Sequence, residues 1–235
     1  MIRPITDVHV TVVPGAWAIP PEARPRIDAY WAKVLAENPR LWNGRVLAAV
    51  APVREGGLTV VDGVLTGTAQ EGAFADYLAW RDWGFPEFGI RNLFGSALIL
   101  SSDGALIYGL MGRHTANAGK IYPPGGNLEP GDVTADGRVN LVGSIEKELA
   151  EETGLGAAEA TVAGMLVAFD GPRVSVGRIF RFAEPADALV ERITAHSARE
   201  TEPELDGLVV VRAASELTDA SPGYAHLHAR HVLGG

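Results

Sequence analysis

A helix that ends in three glutamates constrains this chain more than any other feature of its sequence. Residues 140–153 read as a helix: Asn140 is suited to cap its start, and Gly154 stands where a left-handed residue after the C-terminus is wanted. On such a helix Glu148, Glu151 and Glu152 fall at i, i+3 and i+4, which puts three carboxylates on one face. Like charges at that spacing weaken an isolated helix, and two of the three lie in the last turn, where the helix dipole also disfavours negative charge. A bound divalent cation reverses both penalties. Oxygen ligands select Mg²⁺, Mn²⁺ or Ca²⁺ over soft metals. Upstream, Pro123-Pro124-Gly125-Gly126 is a rigid turn followed by a flexible one. Glycine lets the backbone come close to a metal or ligand, so the Gly125 carbonyl is a candidate to complete the coordination shell.

The rest of the chain alternates short strands with helices. Met1 to Val13 alternates apolar and polar residues and reads as a strand rather than a signal peptide. Glu22 to Glu37 reads as a helix with Ile27, Tyr30, Trp31, Val34 and Leu35 on one stripe. Arg45 to Val53 and Leu58 to Leu65 read as two strands joined by a Glu55-Gly56-Gly57 hairpin turn, and Ala73 to Trp80 as a short helix. From about Leu93 the pattern changes. Ser96 to Leu100 and Ala105 to Leu110 are strand-like around Ser102-Asp103-Gly104; Thr161 to Ala168, Arg173 to Phe182 and Leu208 to Val211 follow as strands, with helices over 186–198 and 225–233. This divides the chain into a small N-terminal α/β extension, residues 1–92, and a second domain, residues 93–235.

Composition narrows the chemistry. There are no cysteines, which excludes disulfides, thiolate zinc sites and cysteine nucleophiles. The net charge is -9, so the overall field does not attract a phosphate backbone and no nucleic-acid polymer is expected as partner. A phosphate-bearing small molecule remains compatible if a cation bridges it to the carboxylates. No stretch approaches the roughly 18 apolar residues of a membrane helix, and the expected compartment is the cytoplasm.

The segment from Gly125 to Leu155 resembles the Nudix box, G-x5-E-x7-R-E-U-x-E-E-x-G-U with U aliphatic. Gly126, Glu148, Leu149, Glu151, Glu152, Gly154 and Leu155 match. Asp132 stands where the first Glu is expected and Lys147 where Arg is. The seven-residue spacer has fourteen residues, so about seven, near 133–139, are inserted around an Asp136-Gly137 turn. In the family the first Glu and the Arg pair with each other; Asp132 with Lys147 keeps the signs but loses the bidentate fork. The resemblance spans about residues 93–217. It implies a Nudix-like α/β/α sandwich with a mixed sheet and hydrolysis of a nucleoside diphosphate linked to another moiety. The layout and N-terminal extension are also similar to those of UDP-sugar pyrophosphatases within that superfamily.

On this reading Mg²⁺, or Mn²⁺ in its place, is held by Glu148, Glu151, Glu152 and Gly125. Glu152 or a loop carboxylate such as Glu202, chosen from the acidic run Glu200, Glu202 and Glu204, deprotonates water. Arg113, His114, Lys120 and Glu129 are candidates to contact substrate. Glu146 points off the carboxylate face as surface charge. His228 and His231, at i and i+3, lack an acidic partner and read as a basic helix end on the surface rather than a metal site. The five tryptophans read as mostly core. Residues 1–92 would shape a leaving-group pocket or a homodimer interface. The rival function is a non-catalytic nucleotide-binding sensor of the same fold, whose mark would be loss of the metal carboxylates.

Overall fold

In the computed structural model, which describes residues 1–234, the elements run β1 (Ile2–Ile5), β2 (Asp7–Val12), α1 (Arg24–Glu37), β3 (Arg45–Val50), β4 (Thr59–Val61), β5 (Val64–Ala73), α2 (Phe74–Asp82), β6 (Ile90–Leu100), β7 (Leu106–Met111) and β8 (Ile121–Tyr122). There follow α3 (Leu141–Thr153), β9 (Thr161–Asp170), β10 (Arg173–Arg181), α4 (Ala186–Ser197), β11 (Leu205–Val211) and α5 (Gly223–Leu233). The chain forms two units. One comprises Met1–Thr6, Phe94–Gly126 and Leu141–Gly235; the other comprises Asp7–Leu93 and Asn127–Asn140.

In the second of these units β5 is the organising strand. It pairs in parallel with β2 and antiparallel with β3 and β4. Two expectations fail here. The stretch 58–65 is not one strand: Asp62, at φ 49°, and Gly63 make a tight turn between β4 and β5. The Glu55–Gly57 turn does not join a hairpin, since β3 pairs with β5 and β6 and not with β4. Likewise Met1–Val13 is two strands, and only the second belongs to this unit. Trp17, Ile27, Val46, Tyr77 and Trp80 are buried in its core, while Trp42 is 75% exposed. Of the α1 stripe only Ile27 is fully buried. The inserted residues 133–139 form a turned loop, as expected, and they also have a structural task. Val133 bridges to Val139 and Arg138 to Thr11. Val12 N–H donates to the Gly137 carbonyl at 2.9 Å, and Val139 N–H to that of Val10 at 2.8 Å. The insertion thereby satisfies backbone groups on the edge of β2 that would otherwise be open.

The other unit is an α/β/α sandwich. Its strands lie in the order β1, β9, β10, β6, β7, β11, with β8 also on β7. Successive side chains of a strand face opposite ways. On β6, Gly95 meets Ile145 of α3, while Leu98, three residues on, meets the position of Gly177 beside His228 of α5. Thus α3 covers one face and α5 the other, and α4 packs against α3 and β11. Across both units the strands are mixed in direction, β2 and β5 being parallel and the other registered pairs antiparallel. No helix among the described residues is long and apolar enough to cross a membrane.

Candidate active site

Helix α3 is anchored by Leu141, Ile145 and Leu149, at i, i+4 and i+8, all 1% exposed or less. Burying each of these is worth about 1.5–3 kcal/mol. Together they fix the rotation of the helix, and that rotation grades the three glutamates by burial. Glu152, one turn beyond Leu149, is driven inward and is only 5% exposed. Glu148 is half-buried and Glu151 faces solvent.

The inward pair meets the glycine turn. Gly125 N–H donates to Glu152 Oε1 at 2.7 Å. The second oxygen, Oε2, is buried and has no hydrogen-bond partner. Glu148 comes so close to Gly126 that a Cβ there would lie 2.5 Å from Glu148 Oε1, so a larger residue would push the carboxylate aside. Burial, the largest cause, pushes the Glu152 carboxyl well above the usual carboxylate range. Glu148 pushes the same way, as do Glu204 and Glu151 more weakly, against the Gly125 N–H. A carboxyl driven into protein next to other carboxylates, with one oxygen unsatisfied, is a costly arrangement. A cation placed among these oxygens would remove the cost. The donor set therefore fits a hard divalent ion: carboxylate oxygens with a glycine turn close by. Among the described residues no three acidic or histidine side chains are drawn together as a preformed cage.

The acidic loop before β11 contributes Glu204. The protein crowds its carboxyl although the residue as a whole is exposed. Burial is the first cause of its raised pKa; Glu200 and Glu151 add to the rise and His114 opposes it. This electrostatic coupling joins Glu204 to both Glu151 and Glu152. Glu202, the residue favoured from sequence, is exposed two positions earlier. Sequence reasoning saw the acidic run but had no means to rank its members. In the structure the Glu204 carbonyl accepts from the Gly112 N–H at 2.7 Å, which ties it to the end of β7.

The remaining candidates are dispersed. Arg113, His114 and Lys120 are exposed at the end of β7 and in the loop to β8, and Arg113 N–H donates to Asp206 Oδ2 at 3.3 Å. Glu129 and Asp132 belong to the other unit, where Asp132 Oδ2 accepts from the Glu129 N–H at 2.9 Å. Lys147 Nζ lies 3.9 Å from Glu148 Oε1. Glu146 is not simple surface charge: it is half-buried and accepts from Arg178 Nη1 at 2.7 Å. His228 is not on a surface helix end either. It is fully buried, with Nε2 2.9 Å from Ser175 Oγ, which is 2.8 Å from Ser96 Oγ. Serine beside histidine suggests a nucleophile, but all three are at most 1% exposed, so this is a polar network of the core.

No family model matches the chain, and no curated protein matches it. Solved structures do resemble it at low identity. One is a MutT protein from Methanosarcina mazei Go1, 17% identical over 60% of this chain and 92% of that one, with a TM-score of 0.39. Another is DR0079 from Deinococcus radiodurans, 13% identical over 60% and 83%, TM-score 0.42. A third is a Nudix hydrolase, RenU, from M. smegmatis, 18% identical over 60% and 85%, TM-score 0.40.

Proposed function

We propose that this chain is a divalent-cation-dependent pyrophosphohydrolase of the Nudix type, which cleaves a nucleoside diphosphate linked to another moiety into a nucleoside monophosphate and a phosphorylated fragment. The observation that carries this reading is the buried, unpartnered Glu152 Oε2 beside Glu148 at the glycine turn. Glu148, Glu151 and Glu152, with the Gly125 carbonyl, would hold Mg²⁺ or Mn²⁺. When bound, the ion supplies charge neutralisation for the diphosphate and lowers the pKa of water. The protein's own residues do the rest. Gly125 N–H engages Oε1 of Glu152 and leaves Oε2 without a hydrogen-bond partner. Glu204, with a raised pKa and coupled to Glu151 and Glu152, is the better placed of the loop carboxylates to take the proton from water. Water attacks one phosphorus, and the other phosphate leaves with the bridging oxygen. Arg113 and Lys120, exposed on this unit at and after the end of β7, are the basic groups assigned to meet phosphate.

The test is a product analysis in Mg²⁺ over NDP-sugars, ADP-ribose, dinucleoside polyphosphates, coenzyme A and nucleoside triphosphates. At least one linked nucleoside diphosphate is expected to give a nucleoside monophosphate. EDTA is expected to abolish that turnover and added Mg²⁺ or Mn²⁺ to restore it. Turnover that survives full chelation contradicts the metal-dependent chemistry. Tight nucleotide binding with no turnover of any substrate favours a sensor instead.

A further inference from the structure

The carboxylate helix ends against a second helix. Gly154, at φ 68°, turns the chain out of α3, and its N–H returns to the Ala150 carbonyl at 2.9 Å. Thr153 Oγ1 donates back to the Leu149 carbonyl. The Glu151 carbonyl, which belongs to the last turn, receives its donor from elsewhere. His196, near the end of α4 and 45 residues away in sequence, places Nε2 2.9 Å from that carbonyl oxygen. The imidazole lies over Gly154, where a Cβ would approach Nδ1 to 2.6 Å. Glu200 Oε1, one turn on, is 3.4 Å from the same Nε2. Gly154 is thus required twice, for its left-handed backbone and for the room it leaves the ring.

Glu151 is the solvent-facing member of the three carboxylates. It lies in the last turn of α3, whose carbonyls lack intrahelical donors. A backbone anchor is a way to restrict it. We propose that His196 is a positioning residue for the carboxylate face: by tying down the main chain at Glu151 it limits fraying of the last turn and holds Glu151 in register with Glu148 and Glu152. The proposal rests on the cation-binding reading of those residues. Hydrogen-bond partners one step removed from a metal commonly alter its affinity by about 10–100-fold, so the effect belongs in cation affinity rather than in the chemical step.

The experiment is Mn²⁺ binding to the substrate-free protein, followed by the paramagnetic resonance of free Mn²⁺, together with kcat at saturating Mg²⁺ and melting in EDTA. It uses wild type and three variants. His196→Ala removes the donor, His196→Leu keeps bulk over Gly154 without a donor, and His196→Gln carries an amide N–H of similar reach. His196→Ala and His196→Leu are expected to bind Mn²⁺ about tenfold more weakly, with kcat at saturating metal near wild type. His196→Gln is expected to recover most of the affinity. The side chain is 30% exposed, so all three variants are expected to fold, and the EDTA melts check this. Unchanged Mn²⁺ affinity in His196→Ala and His196→Leu overturns the proposal, as does a His196→Gln as weak as His196→Ala. Wild type that binds no Mn²⁺ overturns the proposed function and this inference together. Normal wild-type binding with indifferent variants overturns this inference alone.

Discussion

Glu152→Gln is expected to lower turnover by about 10²-fold or more, the size typical of losing a base or a charge-stabilising group, while the metal-free protein melts at the same temperature or higher. The two halves have one cause. Wild-type Glu152 is a buried carboxyl whose ionised form is disfavoured first by burial and then by Glu148. Glutamine keeps the shape and the acceptor for Gly125 N–H but carries no charge, so repulsion falls and the fold gains. The same substitution removes one anionic ligand, so cation binding and catalysis lose. A folded pKa above the unfolded value also gives a sign for pH. The metal-free wild type should lose stability as pH rises from 4.5, the ordinary glutamate value, through the folded pKa, and Glu152→Gln should lose less. A suitable control is Glu191→Gln, on the exposed side of α4, since Glu146 is engaged with Arg178. Equal rate losses in Glu152→Gln and the control, or a fully active Glu152→Gln, would mean that the metal face is misplaced.

What the sequence made legible was local. The span of α3, the left-handed Gly154 and the turned insertion follow from caps, spacing and glycine placement, each written within a few residues. That Glu148 and Glu152 share a helix face is legible for the same reason: a three-to-four-residue spacing is a fact about one helix. What lay hidden depended on distant segments. The parallel pairing of β2 with β5 joins strands more than fifty residues apart and leaves no local mark. The Asp62-Gly63 turn did leave one, but its apolar flanks ran together into a single apparent strand. The three glutamates look alike on a helical projection; their burial differs because Leu141, Ile145 and Leu149 set the rotation of α3 against the sheet. His196, Glu204 and the Glu146–Arg178 pair depend on contacts across 32 to 53 residues.

A second large effect is expected at acid pH, from His228. Burial, and to a lesser degree His231, lowers its pKa from the ordinary 6.5 to about 3. The ring is therefore neutral in the fold, wedged between Ser175 and the open face of Gly177. The unfolded chain takes up a proton at a higher pH than the folded one does. The contribution of His228 to stability is thus complete above about pH 6.5 and falls as pH drops toward 3, by about 1.4 kcal/mol per unit. By pH 5 the loss is roughly 2 kcal/mol, a large part of the stability of a domain. Urea unfolding of wild type and His228→Gln at pH 7, 6 and 5 measures it. Glutamine does not titrate and its amide reaches toward Ser175, so the variant is expected to be less stable at pH 7 but flatter with pH. The difference between the two proteins should shrink steadily below pH 6.5. Parallel pH profiles would show that His228 is protonated in the fold or carries no linkage.

The cation site itself is tested most directly by crystals grown with Mn²⁺ and a non-hydrolysable nucleoside diphosphate analogue, using anomalous scattering to locate the metal. The expected result is a manganese peak in contact with Glu152 Oε2 and Glu148, next to the Gly125–Gly126 turn, with diphosphate oxygens completing its shell. Manganese bound elsewhere, or a diphosphate held without any metal at Glu148 and Glu152, would contradict the account.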